Sequence, residues 1–499
     1  MEVSNRFYTR LCLATVAFFS LFRLSVMGRV GLGDSESYYW AWSQHLDFSY
    51  YDHPPMVAWL IRLFTGLGGD TSFMVRLPSV LLFIVLGWLF YRISMDMFDD
   101  ARVAFYSILT FNLTPVFGIA ALQMVPDIPS AVCYLAYVLI LSRLLKNQGP
   151  GWLWYVLGVV LGVGALGKYF AILLVPSTLI LVAVVPEYRF WFKRPEPYIM
   201  GLVALFVFAP VFIWNFTNDW PSFRFHLTDR HSGAGFSLRN LEKLVAGQAL
   251  YMTPLYLAGF LWAVIKGTGK ALSGDRRYAA LVSFSFPTLL FFYIVCAWTS
   301  ESEPHWPAFG YLTATIMMCS LGIEGIDRQG TKIPARLKAG FFTATGLAGI
   351  AFILFYVHLF HPILPIKPKY DIVNELYGWD KVGANVERIF NERPIGERSN
   401  TFLLARHWVL CSQLMFSTGG RLQVACINKH RDQFDFWDDE KKLIGKNAII
   451  ITDLRFDEPP DTLYRFDTVE KIMEIPVKRG GSVVRKFTIW TGEGFGGSK

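Results

Sequence analysis

Apolar runs and short polar corners alternate along the chain as far as about residue 360, and there the alternation stops. A helix that crosses a bilayer needs roughly 17–25 mostly apolar residues. Windows of that kind fall near 7–27, 77–97, 103–121, 127–145, 151–167, 169–186, 197–215, 246–266, 279–298, 306–325 and 339–360. The pattern predicts a mainly α, polytopic membrane protein with about eleven transmembrane helices. The two windows beside Lys168 are separated by a single polar corner, so their division is the least sharply drawn. The first window contains Arg23 and lacks a small-x-small cleavage site, so it reads as a retained span rather than a signal peptide.

Past residue 361 the composition becomes that of a soluble chain. β-type runs appear at TFLLARH, LQVACIN and NAIIITD, with polar or helix-compatible stretches between them. This predicts a small C-terminal α/β domain over 361–499, a membrane domain over 1–360, and a long first loop over 28–76. No internal repeat or low-complexity segment stands out.

Charge then orients the chain. Alternate loops carry Arg6 and Arg10; Arg92 and Arg102; Arg143 and Lys146; Arg189, Lys193 and Arg194; Lys266, Lys270, Arg276 and Arg277; and Arg328, Lys332, Arg336 and Lys338. Short Lys/Arg-rich loops stay cytoplasmic. The N terminus is therefore expected inside, and eleven spans put the tail outside. Only 17% of residues are charged and 53% are hydrophobic, against about 25% charged in soluble proteins. The net charge of +8 belongs to those loops and does not call for a nucleic-acid partner. The six cysteines show neither CxxC nor zinc spacing, which argues against a disulfide framework or structural zinc.

The opposite set of loops holds the residues that look chemical. GDSESYYWAWSQHLDFSYYDHPP, from Gly33 to Pro55, sets Asp34, Glu36, Asp47, Asp52 and His53 among Tyr and Trp. Its aromatics suit a short helix at the water–lipid boundary, an explanation that leaves Asp34 and Glu36 open: solvated, or turned toward a cavity. Asp52 and His53 precede two prolines that stiffen the backbone; they read as a rigid turn, or as a preset pair for a phosphate or a shared divalent metal. Asp127 in MVPDIPS reads as a helix cap or an active acid. Lys168, in a Gly-Lys-Tyr corner, snorkels or meets a phosphate. Arg76 in VRLPS anchors its helix at the headgroups or grips an anionic lipid. His305 in EPHWP is structural or a ligand. Together they outline an outer cavity with carboxylates to act as bases and cations to hold a phosphate.

In combination and order, these acids, with YYDHPPMVAWLI, VRLPSVLL, PDIPS, LGKYFAILLVP, PVFIWN and WPSFRF, resemble the GT-C membrane glycosyltransferases. The nearest group is glycosyltransferase family 39, the protein mannosyltransferase-like proteins that include aminoarabinose and other lipid A sugar transferases. The resemblance spans about residues 28–310, and RDQFDFW in the tail is similar to the periplasmic end of bacterial members. It implies a polyprenyl-phosphate (undecaprenyl-phosphate) sugar donor, a lipid A, other lipid, glycan or protein acceptor, inversion at the anomeric carbon, and no nucleotide cofactor. It implies catalytic acids at Asp34, Glu36 and Asp127, with donor-phosphate contacts from Lys168, His53, Arg76 and Tyr51. A divalent metal would fall to Asp52, His305 and Glu36. The family's usual adjacent Asp-Glu is here Asp34-Ser35-Glu36, which leaves the base open between the two acids, with Asp34 favoured.

Three other readings compete. A transporter or lipid flippase is also polytopic, but its site typically lies near the midplane of repeated halves, whereas these acids gather on one face. An oligosaccharide ligase or polymerase would differ only in donor size. A receptor or assembly protein leaves the outer acids unexplained.

Overall fold

The computed structural model describes residues 2–146, 149–231, 235–299, 302–328, 335–428 and 430–499. Ser300 and Glu301 of the SESEPHWP loop, and Lys332 of the last basic loop, lie outside the described residues. The chain folds into two compact units, one of residues 1–24, 53–57 and 79–353, the other of residues 25–52, 58–78 and 354–499.

The first unit is helical. Six helices touching it are each long and apolar enough to cross a membrane: Ser4–Val26, Ser72–Phe98, Asp127–Lys146, Glu196–Thr217, Arg276–Trp298 and Ala339–Phe360. Counting each of two bent pairs as one span raises the number to eight among the described residues. Helix occupies every one of the eleven predicted windows, but several are broken. The 103–121 window divides at Thr114–Pro115 into Ala101–Leu113 and Pro115–Ala120, because proline has no N–H to continue the ladder. The 169–186 window opens as a 3-10 turn, Tyr169–Leu173. The 246–266 window, expected to be one straight span, breaks at Thr253–Pro254 with a bend of 105°. Thr253 has a φ of 64° there, and its hydroxyl caps the second helix at Tyr256 N–H. Hydropathy summed across that window is blind to the break.

Large rings fill the interior of this unit: Phe90, Phe111, Tyr137, Trp154, Phe260, Tyr278 and Tyr311 are fully buried. The outward faces are apolar too, with Leu202, Phe206, Ile265, Leu272 and Phe342 exposed. A molecule that leaves this much apolar surface uncovered on its helices is built to sit in lipid.

The second unit is built on a five-stranded sheet of order β2-β1-β3-β5-β4. The strands are β1 (Thr401–Ala405), β2 (Val424–Cys426), β3 (Asn447–Asp453), β4 (Thr468–Arg479) and β5 (Ser482–Glu493). β1 pairs in parallel with β2 and β3; β5 pairs antiparallel with β3 and β4. The three apolar runs become β1, β2 and β3. The β4–β5 hairpin went unpredicted because much of its exposed face is written in Lys and Glu, as at Glu470, Lys471, Glu474 and Lys478. Phe402, Leu404, Ala448, Ile450 and Phe495 make the core on one face of the sheet.

The opening stretch belongs to this second unit. Asp34–Gln44 is a helix, and Tyr38, Tyr39, Trp40 and Trp42 are buried in it. Its rings face protein rather than lipid, which corrects the interfacial reading. Tyr38 stacks on Trp408 at 4.6 Å, and Trp40 meets Phe416 edge-on at 5.0 Å. The helix packs on Trp408–Ser417, where the Ser37 and Ser412 hydroxyls share a hydrogen bond of 3.1 Å.

Candidate active site

The candidate residues form one group in each unit. In the first, Asp127 begins its helix with Pro129 in the first turn, a position where proline's missing N–H costs nothing. Lys168 is the single extended residue (φ −153°, ψ 135°) between helix Leu153–Gly167 and the following 3-10 turn. Gly167 makes this corner possible, since a Cβ there would lie 2.4 Å from Ser130 Oγ. Ser130 in turn donates to the Gly164 carbonyl at 2.8 Å, which draws the two helices together. The result is a half-buried ion pair, with Lys168 Nζ 2.6 Å from Asp127 Oδ1. Asp127 is thus more than a cap.

Three further groups surround this pair. His305 lies in the electrostatic field of Lys168, Asp127 and Arg230; burial first, and then the positive charge of Lys168, push it down to about 4. His53 is held well below its ordinary value, first by burial and then by the charges of Lys168, His226 and Arg230. Its ring lies 6.2 Å from that of His226, which meets Tyr169 edge-on at 5.1 Å. The Arg230 guanidinium lies over the Trp306 ring at 4.5 Å. At neutral pH the two imidazoles are uncharged, so the positive charge comes from Lys168 and Arg230. Such a group can accept an anion: its cations attract it, and each neutral imidazole still offers one N–H.

The second group centres on helix Asp34–Gln44. Asp34 is nearly inaccessible to solvent, at 5%. Its Oδ2 lies 2.6 Å from Arg455 Nη1, and its Oδ1 accepts from Gln413 Nε2 at 3.2 Å. Glu36 is fully buried and gripped by Arg76 through Nε (2.8 Å) and Nη2 (2.6 Å). Glu36 Oε2 also accepts the Gly33 N–H at 2.9 Å and closes a capping box. Asp52 Oδ2 accepts the Tyr38 hydroxyl at 2.8 Å, and Tyr38 accepts the Gln433 N–H at 2.8 Å. Tyr51 is buried, and its N–H bonds Gln433 Oε1 at 2.7 Å.

Two expectations meet side chains that are already engaged elsewhere. Arg76 does not offer itself to a phosphate. Besides Glu36, it donates to the Met27, Val30 and Gly31 carbonyls at 2.8, 3.1 and 2.7 Å. A guanidinium has five N–H groups, and all five are committed to this turn. Arg76 with Glu36 is a structural pin that shapes the approach to Asp34. The metal expectation also meets no suitable donor set. Among the described residues, no group of three or more His, Cys, Asp or Glu side chains is placed to hold a metal ion. Glu36 is occupied by Arg76, Asp52 by Tyr38, and His305 belongs to the Lys168 group.

Sequence reasoning missed Arg455, Gln413, His226 and Arg230. For Arg455 one signal existed: Asp453-Leu-Arg455 follows the carboxyl end of an apolar strand, where α/β sheets commonly place ligand-binding groups. For the others nothing local marked them, because what matters is the fold that brings them to Asp34 or Lys168.

Against this geometry, the comparisons with known proteins are specific. Residues 52–214 match the family described as dolichyl-phosphate-mannose-protein mannosyltransferase. The lipid A galacturonosyltransferase RgtD of Rhizobium johnstonii is 26% identical over 351 residues, 68% of this chain and 69% of that one. An undecaprenyl phosphate-α-4-amino-4-deoxy-L-arabinose arabinosyl transferase of Proteus mirabilis is 21% identical over 64% of this chain, and the match spans only 58% of that protein. The crystal structure of ArnT from Cupriavidus metallidurans bound to undecaprenyl phosphate superposes with a TM-score of 0.64 at 14% identity. That superposition covers 97% of this chain and 98% of ArnT. The protein therefore shares the ArnT-like GT-C fold over 97% of its chain, and its sequence likeness runs to the dolichyl-phosphate-mannose-protein mannosyltransferase family over residues 52–214 and to the lipid A galacturonosyltransferase RgtD.

Proposed function

We propose that this protein is an inverting membrane glycosyltransferase that moves a sugar from an undecaprenyl-phosphate donor to lipid A. The observation that carries this reading is the Lys168 group: two cations and two uncharged imidazoles gathered among aromatic rings at the ends of apolar helices. A lipid-borne phosphate is the anion such a place suits. The relatives add the acceptor and the carrier. RgtD is named for galacturonosyl transfer to lipid A, and the superposed ArnT holds undecaprenyl phosphate.

The chemistry runs as a single displacement. The acceptor hydroxyl attacks the anomeric carbon, its new C–O bond forming as the bond to the phosphate oxygen breaks. Asp34 takes the hydroxyl proton, and the phosphate departs with the bonding pair. Lys168 and Arg230 stabilise the charge that grows on the departing phosphate, which is worth most where water is excluded. His53 and His305, uncharged, donate N–H groups without adding charge to the site. One displacement from the face opposite the phosphate inverts the configuration. The N terminus lies in the cytoplasm and the reaction takes place at the periplasmic face of the inner membrane, as the loop charges indicate.

The test is mass spectrometry of lipid A from cells with and without the chain. A sugar-sized increment that requires the intact protein supports the reading and identifies the sugar. No increment in lipid A, with the protein folded and the donor present, would overturn it.

A further inference from the structure

Asp34 is held by groups that lie hundreds of residues away in sequence yet within the same compact unit. Arg455 reaches it from the turn after β3. The turn itself is tightly built: Asp453 Oδ1 accepts the Arg455 N–H at 2.9 Å, and Asp453 Oδ2 lies 3.2 Å from Arg455 Nε. Arg485 on β5 already neutralises Asp453, with its Nη2 at 2.7 Å from Oδ2. Arg455 is therefore not needed as the counter-ion of Asp453. Its outer nitrogen, Nη1, is turned to Asp34 at 2.6 Å, and the same nitrogen is 3.9 Å from Glu375 Oε1.

Glu375 lies in the electrostatic field of both Asp34 and Arg455. Gly31 lets the neighbouring Leu376 come close, since a Cβ there would meet the Leu376 carbonyl at 2.6 Å. Burial and then the Asp34 charge raise the Glu375 carboxyl to about 7. Asp34, Asp453 and Glu375 face Arg455 and Arg485, so a proton on Glu375 balances two anions against two cations. Gln413 completes the frame, donating to the Leu32 carbonyl at 2.8 Å as well as to Asp34. Each Asp34 oxygen thus accepts from one of these side chains, and a carboxylate oxygen can accept two. The frame orients the acid and leaves it able to take a proton.

We propose that Arg455, supplied by the C-terminal domain, is the positioning residue for Asp34: it fixes the carboxylate's rotamer, so the C-terminal domain is part of the catalytic machinery. The inference rests on the reading above in which Asp34 is the base. Misplacing a reacting group by about 1 Å can cost on the order of 100-fold.

The experiment uses the full-length protein in lipid nanodiscs. Its donors are undecaprenyl-phosphate-linked galacturonic acid and 4-amino-4-deoxy-L-arabinose, with lipid A as acceptor. Wild type, D34N, R455A and R455K are compared at equal folded amounts, checked by thermal unfolding and gel filtration. R455A should lower kcat roughly 10–100-fold with the donor KM within about 2-fold, and R455K should recover a large part of the loss. A residue that only stiffens the fold would lower the unfolding temperature without that kcat-only signature. Normal kcat in folded R455A, or a loss that appears wholly in donor KM, overturns the proposal. If R455A is normal while D34N is inactive, this inference alone fails. If D34N itself is active, the assignment of the base fails with it.

Discussion

In the first compact unit, Lys168 and Arg230 stand with two uncharged imidazoles among aromatic rings, and Lys168 pairs with Asp127. In the second, Asp34, Asp453 and Glu375 are interleaved with Arg455 and Arg485 until charge is nearly balanced. The first group sets two cations and one carboxylate beside the uncharged imidazoles. The second spends its cations on holding one carboxylate in place. The first arrangement suits an anion, and the second suits a carboxylate held in a fixed orientation. They are also built differently: helix corners and a glycine place Lys168, whereas the turn after the central strand β3 and long-range ion pairs place Asp34.

The largest effect should come from removing the base. Asp34→Asn keeps the shape and can still meet Gln413, but it cannot take a proton. Transfer should fall by roughly 100- to 10,000-fold with expression unchanged; near-normal turnover would remove Asp34 from the mechanism. On the other side of the comparison, Lys168→Ala should raise the apparent donor requirement by roughly 10-fold or more, since one charge-assisted contact is worth about 1.5–3 kcal/mol. Donor titration of the purified variant reads this directly, and unchanged donor dependence would reduce Lys168 to an anchor.

Arg76→Gln separates structure from chemistry within the second unit. Breaking a buried pair costs about 3–5 kcal/mol, so this variant should show a lower unfolding temperature or poor yield. If it is stable but selectively inactive, Arg76 has a direct role that its five committed N–H groups do not suggest.

The smallest effect concerns pH and the tail. Burial, aided by neighbouring Asp435, raises both Asp432 and Asp438 to about 7. Their folded values thus lie above the unfolded value of about 3.9. The stability they contribute is complete below that unfolded value and is lost as pH rises through 7. The second unit should therefore unfold at a lower temperature at pH 8 than at pH 5.5, and Asp432→Asn should flatten that dependence. An equally steep profile in the variant would place its origin elsewhere.

Much of this was legible in the chain. The apolar windows, the three apolar strands β1 to β3, the corner Lys168 and the acids Asp34 and Asp127 were all found by local pattern, because bilayer thickness and strand alternation write themselves into neighbouring residues. Composition alone could not find the breaks at Pro115 and Pro254, since window averages pass over a single missing N–H. Arg76 looked like a phosphate ligand because a lone arginine beside an apolar run offers no sign that five acceptors await it.

By itself the sequence determined that the chain belongs in a membrane, that its tail folds as a small α/β domain, and which loops hold acids and cations. Only the tertiary structure decided what those residues do to one another. It committed Glu36 to Arg76, turned the aromatic helix Asp34–Gln44 onto protein, and brought Arg455 across 421 residues to Asp34. The physical reason is range. Hydropathy and backbone propensity act over a few neighbours, while the protonation and orientation of a buried carboxylate are set by whatever charge the fold places within a few ångströms of it.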